Sequence, residues 1–299
     1  MIDRQTSLRQ GYIVGIACYL LWGVLPVYFK AVSAAMPLEV VAHRVVWSVL
    51  LLFLILVLRG RLTVLARHLR DWRVLAALSG SAVLIAINWL IYIYAVTSGH
   101  ILAASLGYFL NPLVSVGLGV GLLKETLRPA QKLAILAAAF GVSLLAFSAL
   151  DTLWISVMLA ISFAFYGLIR KVTPVDAMPG LMIETLILLP FAGGYLVYLA
   201  AHGMASFGQQ FGLSLLLASS GVITSVPLLL FAMAARRLPL ATMGLLQYIA
   251  PSLQFLVGLL VYGEPLGILK LASFGVIWAG LAIFTWDAVR GSPKALPIA

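Results

Sequence analysis

The chain reads as ten long apolar runs parted by short polar turns, at about 11–33, 37–58, 73–96, 100–123, 130–147, 151–169, 179–201, 213–234, 239–261 and 267–286. A hydrocarbon layer of ~30 Å takes about 20 residues of helix to cross, and every run is close to that length. Charged, proline or glycine residues bound the runs, as at Arg59-Gly60-Arg61, Arg128-Pro129 and Glu264-Pro265. The runs are apolar on all faces, whereas the strands of a membrane barrel alternate. The pattern predicts an all-α integral membrane fold with ten transmembrane helices. Val32 and Ala34 sit like the small residues of a signal-peptide cleavage site. The apolar stretch from Tyr12 to Phe29 is too long for a signal core, so helix one is expected to stay.

Composition agrees with that pattern. Apolar residues make up 63% of the chain and charged ones 9%, against roughly 25% charged in a soluble domain. The net charge of +10 would suit a nucleic-acid partner if it were spread over a surface. It is not: with a cytoplasmic N-terminus, sixteen of the 19 Lys and Arg fall in loops on the inner side. These run from Arg4 and Arg9, through Arg59–Arg73, Lys124–Lys132, Arg170-Lys171 and Arg236-Arg237, to Arg290 and Lys294. Only Lys30 and Lys270 lie outside, and Arg44 lies within helix two. Both termini are therefore expected inside, with the lipid bilayer and not nucleic acid as the surrounding partner.

The second half repeats the first at a nearly fixed offset of 139. Asn111-Pro112 through Gly119 to Glu125 falls on Ala250-Pro251 through Gly258 to Glu264; Gly141 falls on Gly280, Ser81 on Ser220 and Tyr108 on Gln247. Trp22-Gly23 lies opposite Tyr166-Gly167 at a looser offset of 144. Five helices per copy is an odd number, so residues 1–147 and 148–299 would enter the membrane from opposite sides. Glu125 would then lie at the cytoplasmic face and Glu264 at the outer one. Two similar inverted halves around one site are a common basis for alternating access.

Polar groups are costly in hydrocarbon, so those inside spans tend to face the bundle interior or a wet cavity. Helix four places Ser105, Tyr108, Asn111 and Ser115 three or four residues apart, on one face. Helix nine has Gln247 and Gln254, helix three Ser81, Asn88 and Tyr92, and helix eight Ser220, Thr224 and Ser225. Tyr19, Trp22 and Tyr166 come from helices one and six. The candidate solute contacts are Trp22, Asn88, Tyr92, Ser105, Tyr108, Asn111, Tyr166, Ser220 and Gln247, an aromatic and neutral-polar set suited to an amphipathic organic solute. An ion filter would need rings of charge or of carbonyls instead. Serine and glycine are also ordinary at helix contacts in membranes, and tyrosine and tryptophan in the interfacial belt.

Few charges lie inside the spans. Arg44 is about 10 Å deep at 1.5 Å per residue, and Glu184 is at similar depth from the other side, so the two are not expected to pair. Glu39 or loop carbonyls are the expected partners of Arg44, and Arg170 or Lys171 those of Glu184. Either residue would then serve as a helix anchor or a gate. Glu184 is the one acid well inside a span, which favours facilitated or weakly coupled movement over proton exchange. Cys18 is the single cysteine, the four histidines show no metal-ligand spacing, and no G-x-x-x-x-G-K-[ST] loop is present. No cofactor, metal or enzymatic activity is expected.

The Trp22-Gly23 pair, the HRVVWS stretch from His43 to Ser48, and the Pro112…Glu125 and Pro251…Glu264 pairs resemble the RarD-type branch of the drug/metabolite transporter superfamily, with its two EamA units. The resemblance covers about residues 10–287. It implies two inverted five-helix repeats around a central cavity lined mainly by helices one, three, four, six, eight and nine, with five and ten apart. It also implies a multi-pass bacterial inner-membrane carrier of small metabolites, often outward, with amino acids, aromatic ones included, among the substrates of similar exporters. The small four-helix multidrug members use a carboxylate in their first helix; helix one here has none, so that mechanism does not carry over. The reading is a transporter, plausibly a monomer, working by alternating access, with Gly107, Pro112, Pro227 and Pro251 letting half-helices bend. A passive channel, an exporter of drugs or other metabolites, a membrane enzyme and a non-transporting scaffold are its rivals.

Overall fold

The computed structural model describes residues 4–98, 100–146, 150–262 and 268–290. Glu264, Pro265 and Lys294 lie outside the described residues, as do the side chains of Arg4, Ser105, Lys270 and Arg290. All regular structure among the described residues is helical. In chain order it comprises α1 (Arg4–Ala31), α2 (Pro37–Leu58), α3 (Leu62–Arg70), α4 (Trp72–Thr97), α5 (Ile101–Gly121) and α6 (Pro129–Ala146). A single 3-10 turn (Leu150–Thr152) leads into α7 (Leu153–Val172), followed by α8 (Ala177–Ala201), α9 (Phe211–Ala235), α10 (Leu240–Gln247), α11 (Ile249–Tyr262) and α12 (Ile268–Arg290).

Among the described residues seven stretches are long and apolar enough to cross a bilayer: Thr6–Ala31, Pro37–Leu58, Trp72–Ala95, Leu150–Val172, Ala177–Ala201, Phe211–Ala235 and Leu240–Val261. Leu106–Gly121, Pro129–Leu144 and Leu271–Asp287 are shorter apolar helices. Large side chains such as Leu54, Leu136, Phe191 and Leu260 stand exposed on the outside of the bundle, the surface a lipid phase would cover.

Two features depart from the apolar pattern. The polar turn after α2 contains α3, a helix of nine residues whose Leu65 is buried while Arg67, His68 and Arg70 crowd its last turn. It is too short and too charged to register as a span, and its cations suit the negative end of the helix dipole. The expected ninth span runs through Tyr248, whose backbone stays helical (φ −61°, ψ −15°); only the hydrogen-bond ladder is interrupted there, between α10 and α11. Pro251 has no amide to give the Gln247 carbonyl four residues earlier, and its ring crowds that position. The Tyr248 carbonyl is taken up by the Ser252 hydroxyl at 2.7 Å and the Ser252 amide at 3.2 Å. Pro112 stands in the same relation to Tyr108, yet α5 continues through it.

The helices pack in crossed neighbours. α5 lies against α7 and α10, α1 against α9 and α11, α2 against α8 and α9, and α4 against α7 and α8. α6 and α12 form a pair of their own, where small residues let the backbones meet. A Cβ on Gly141 would lie 2.9 Å from the Ser273 carbonyl, and one on Gly280 2.8 Å from the Ala134 carbonyl. At the α5–α10/α11 contact the Tyr248 hydroxyl donates to the Phe109 carbonyl at 3.2 Å.

One ion pair is buried between α7 and α8. Arg170 Nη1 lies 3.7 Å from Glu184 Oε1, and both side chains are almost completely shielded. Ser81 from α4 donates to the same carboxylate oxygen at 2.5 Å, and Arg170 Nη2 donates to the Ala177 carbonyl at 3.1 Å. A Cβ on Gly180 would collide with the Arg170 guanidinium, so the helix leaves a side chain out where the cation passes. The expected pairing of Glu184 with Arg170 is thus the one observed. Removing one member of such a pair strands the other charge, a loss of about 3–5 kcal/mol. Glu184→Ala is expected to lower the unfolding temperature of the purified protein sharply, and Arg170→Met in the same chain to recover most of it. A double variant no more stable than Glu184→Ala alone would show that the pair is not the source of the loss.

Candidate functional site

A cavity of about 130 Å³ lies at the centre of the bundle. From α1 it is lined by Trp22, Leu25, Pro26 and Phe29, one helical stripe at intervals of three and four. α4 contributes Ile85, Asn88, Trp89 and Tyr92, and α5 contributes Tyr108 and Asn111. Phe163 of α7, Leu228 of α9, Gln247 of α10, and Ala250, Pro251 and Gln254 of α11 complete the wall with Arg44 of α2. Nothing from α6 or α12 reaches it.

The walls are rigid where they are aromatic. The Trp22 ring packs against Tyr19, Phe163 and Phe231 with centroids 5.7, 5.4 and 5.6 Å away, and Tyr92 and Tyr108 lie 6.1 Å apart. The amides differ in how far they are engaged. Asn88 Nδ2 donates to the Leu159 carbonyl at 2.9 Å and the Ser162 hydroxyl at 3.0 Å, tying α4 to α7. Asn111 Oδ1 accepts from Ser115 at 3.3 Å, and Gln254 Nε2 donates to the Trp22 carbonyl at 3.0 Å. Gln247, 6% exposed, is part of the wall, and its amide makes no hydrogen bond among the described residues.

Six of the nine expected contacts therefore come together here: Trp22, Asn88, Tyr92, Tyr108, Asn111 and Gln247. Tyr166 does not line the cavity. It is fully buried on another face of α7, stacked on Phe231 at 5.8 Å and 18°, while Phe163, one turn earlier, takes the cavity position. Ser220 is likewise fully buried, beside Gly221, whose carbonyl accepts from Ser48 where α2 and α9 meet. Neither placement follows from polarity alone, because both residues sit on spans that do reach the cavity.

Arg44 has a different setting from the one its sequence position suggests. Neither Glu39 nor a loop carbonyl is its partner. Its Nε donates to Thr224 Oγ1 at 2.9 Å, and its guanidinium sits over Trp89 at 4.5 Å and near Phe29 at 5.7 Å. Glu39 is turned away to the 202–210 loop, where one oxygen accepts from the amides of Ser206 at 2.7 Å and Phe207 at 3.3 Å. His43 lies 3.9 Å from that oxygen, packs on Phe207 at 5.0 Å and accepts from Trp47 Nε1 at 3.2 Å. The signal missed was the cation itself: Arg44 is the one Lys or Arg in the run 37–58, and charged groups within spans tend to face the bundle interior or a cavity.

At the opposite end a second carboxylate closes the bundle. Glu125 accepts from the amide of Leu240 at 2.7 Å with one oxygen and from that of Ala241 at 2.9 Å with the other, holding the N-terminus of α10. Lys171 lies 3.8 Å from Glu125 and donates to the Ala235 and Leu238 carbonyls at 3.2 and 2.5 Å, holding the end of α9. Among the described residues no group of three or more His, Cys, Asp or Glu is placed to hold a metal ion.

Residues 9–147 match the EamA-like transporter family. The chain is similar to the protein RarD of Escherichia coli K12, 43% identical over 94% of this chain and 95% of that one. An uncharacterised transporter of Pseudomonas aeruginosa is 42% identical over 97% of this chain and 98% of its own length. The chloramphenicol-sensitive protein RarD of the same organism is 33% identical over 94% and 95%. A solved crystal structure, 20% identical, superposes with a TM-score of 0.71 over 94% of this chain and 99% of its own, a likeness of fold.

Two of the four cavity amides, Asn88 and Gln247, differ in what their loss would cost. Asn88→Ala breaks two buried hydrogen bonds between α4 and α7, a destabilisation of about 1–3 kcal/mol. Gln247→Ala breaks none and is expected to stay within about 0.5 kcal/mol of the parent. Thermal unfolding of the two purified variants checks this; equal losses would place Gln247 among the packing residues.

Proposed function

As the chain belongs to the EamA-like transporter family, in its RarD-type branch, we propose that it moves small amphipathic metabolites outward across the bacterial inner membrane by alternating access. Amino acids, aromatic ones included, are the proposed solutes. The observation that carries this reading is the central cavity, closed in by aromatic rings and open-valenced amides contributed by both halves of the chain. Its volume is near the ~150 Å³ that accommodates a benzene ring, a fit to an aromatic side chain and not to a bulky solute.

The proposed architecture is two inverted five-helix repeats, 1–147 and 148–299, with both termini cytoplasmic; a single chain contains the whole cavity. Several contacts support it. Tyr248 and Phe109, joined by a hydrogen bond, are themselves 139 residues apart, the repeat offset. Gly141 on Ser273 and Gly280 on Ala134 are the same contact made twice with the halves exchanged. Tyr108 and Gln247, each four residues before a proline, are repeat-equivalent and share the cavity. A carbonyl freed by proline weakens the helix at that point, so both residues sit where a half-helix can bend towards or away from solute.

In this reading Glu125 and Lys171 close the cytoplasmic side. The Glu125 carboxylate caps α10 from the other repeat, and a negative charge at a helix N-terminus is favoured. Opening that side requires the clasp to release. Glu125→Ala is expected to shift the population inward-open, so that Thr242→Cys, near the clasp, reacts faster with an impermeant maleimide applied from the cytoplasmic side. Cys18 is fully buried and gives little background. Unchanged reactivity would remove the clasp from the gate.

The transport reading itself is tested with purified protein in proteoliposomes. Saturable phenylalanine uptake, accelerated by unlabelled phenylalanine inside, is the expected result, with chloramphenicol included as a competitor because of the name of one relative. An open pore does not accelerate exchange, so uptake without acceleration would indicate a channel. Tyr108→Ala is expected to reduce uptake by about tenfold or more without loss of folded protein, in line with one lost solute contact. Undiminished uptake would take α5 out of the pathway.

A further inference from the structure

We infer that Arg44 is the specificity-determining residue of the cavity and that it selects solutes by their carboxylate, with an α-ammonium group dispensable. This rests on the transporter reading and narrows it to a chemical class: amphipathic monocarboxylates, of which amino acids are one kind.

The argument is one of charge and partners. Among the described residues Arg44 is the one charged residue in the wall, and no aspartate or glutamate lines the cavity. Its Nε is held by Thr224 and its plane lies over Trp89, so the guanidinium is fixed in place. The two terminal nitrogens make no hydrogen bond or ion pair among the described residues. The two buried acids that could neutralise it are committed elsewhere, Glu39 to the amides of Ser206 and Phe207 and Glu184 to Arg170 and Ser81. A guanidinium in a low-dielectric cavity without a counter-ion is unfavourable, and its free edge matches a carboxylate in a two-point contact. The solute is then the counter-ion.

The same inventory says what the site does not read. An ammonium group would find amide carbonyls and ring faces but no anion, and it would approach a cation across a space of about 130 Å³. Repulsion between like charges at that range is not screened as it is in water. The cavity therefore tolerates an α-amino group when a carboxylate accompanies it and disfavours a lone amine. Lysine in place of Arg44 would keep the charge but lose the planar pair of donors.

Four probes with one phenyl ring separate these features in calorimetric titrations of the purified protein: phenylalanine, 3-phenylpropanoate, 3-phenylpropanamide and phenethylamine. The two carboxylates are expected to bind comparably, and the amide and the amine more weakly by roughly tenfold to a hundredfold. Arg44→Gln is expected to abolish the preference, and Arg44→Lys to keep part of it. Should Arg44→Gln not fold, the four probes on the unaltered protein decide alone. Phenethylamine or the amide binding as well as the carboxylates, 3-phenylpropanoate binding far more weakly than phenylalanine, unchanged preference in Arg44→Gln, or no binding by any probe would each overturn the inference. The counterflow assay fails separately: discrimination among bound probes without counterflow would retire the transport mechanism and leave the Arg44 assignment standing.

Discussion

In a chain this apolar, a charged side chain within the spans must find its partner in the same bundle, because hydrocarbon supplies none. That dependence organises the molecule. One oxygen of Glu184 accepts from Ser81 and lies beside Arg170, which locks α8 to α7 and α4. One oxygen of Glu39 accepts from two amides of the 202–210 loop, which brings that loop over the start of α2. Glu125 is satisfied by the first amides of α10, and Lys171 by the last carbonyls around α9. Glu39, Glu125 and Glu184 thus each fasten one element to another, and the cavity is what remains between fastened helices.

Against that background the unfastened groups stand out. Gln247 makes no hydrogen bond among the described residues, and Arg44 is held only through its Nε and by ring faces. Both face the cavity, together with Tyr108. Unused hydrogen-bonding capacity is a property no list of polar positions contains, and the buried Ser220 and Ser225 hydroxyls share it without lining the cavity. The HRVVWS stretch makes the same point within six residues. His43, Trp47 and Ser48 are engaged by Phe207, by His43 itself and by the Gly221 carbonyl, whereas Arg44 alone turns inward.

Pro112 and Pro251 stand four residues after Tyr108 and Gln247, two residues of the cavity wall. Each leaves a carbonyl four residues earlier without its helical donor, and in both cases the backbone stays helical through the site. Glu125 joins the start of α10, the helix that carries Gln247 into the cavity wall, to the turn after α5.

The run lengths of apolar residues determined by themselves that this is a helical membrane protein, because a bilayer admits few other solutions for backbone groups. Helical spacing, with the repeat correspondence, put forward Asn88, Tyr92, Tyr108, Asn111 and Gln247 as candidates; these, with Trp22, line one cavity, since residues three or four apart share a face whatever the neighbours are. Spacing does not say which face points to the centre, and so it chose Tyr166 where Phe163 lines the wall and Ser220 where α9 is buried against α2. It also did not reveal α3, whose nine residues carry too few apolar positions, or the interruption at Tyr248, which needs the cost of Pro251 to be weighed against packing. The partner of Arg44 was decided only by tertiary structure. Glu39 is near it in sequence, but two backbone amides from a loop more than 160 residues away outcompete the guanidinium for that carboxylate, and the cation is left to the cavity.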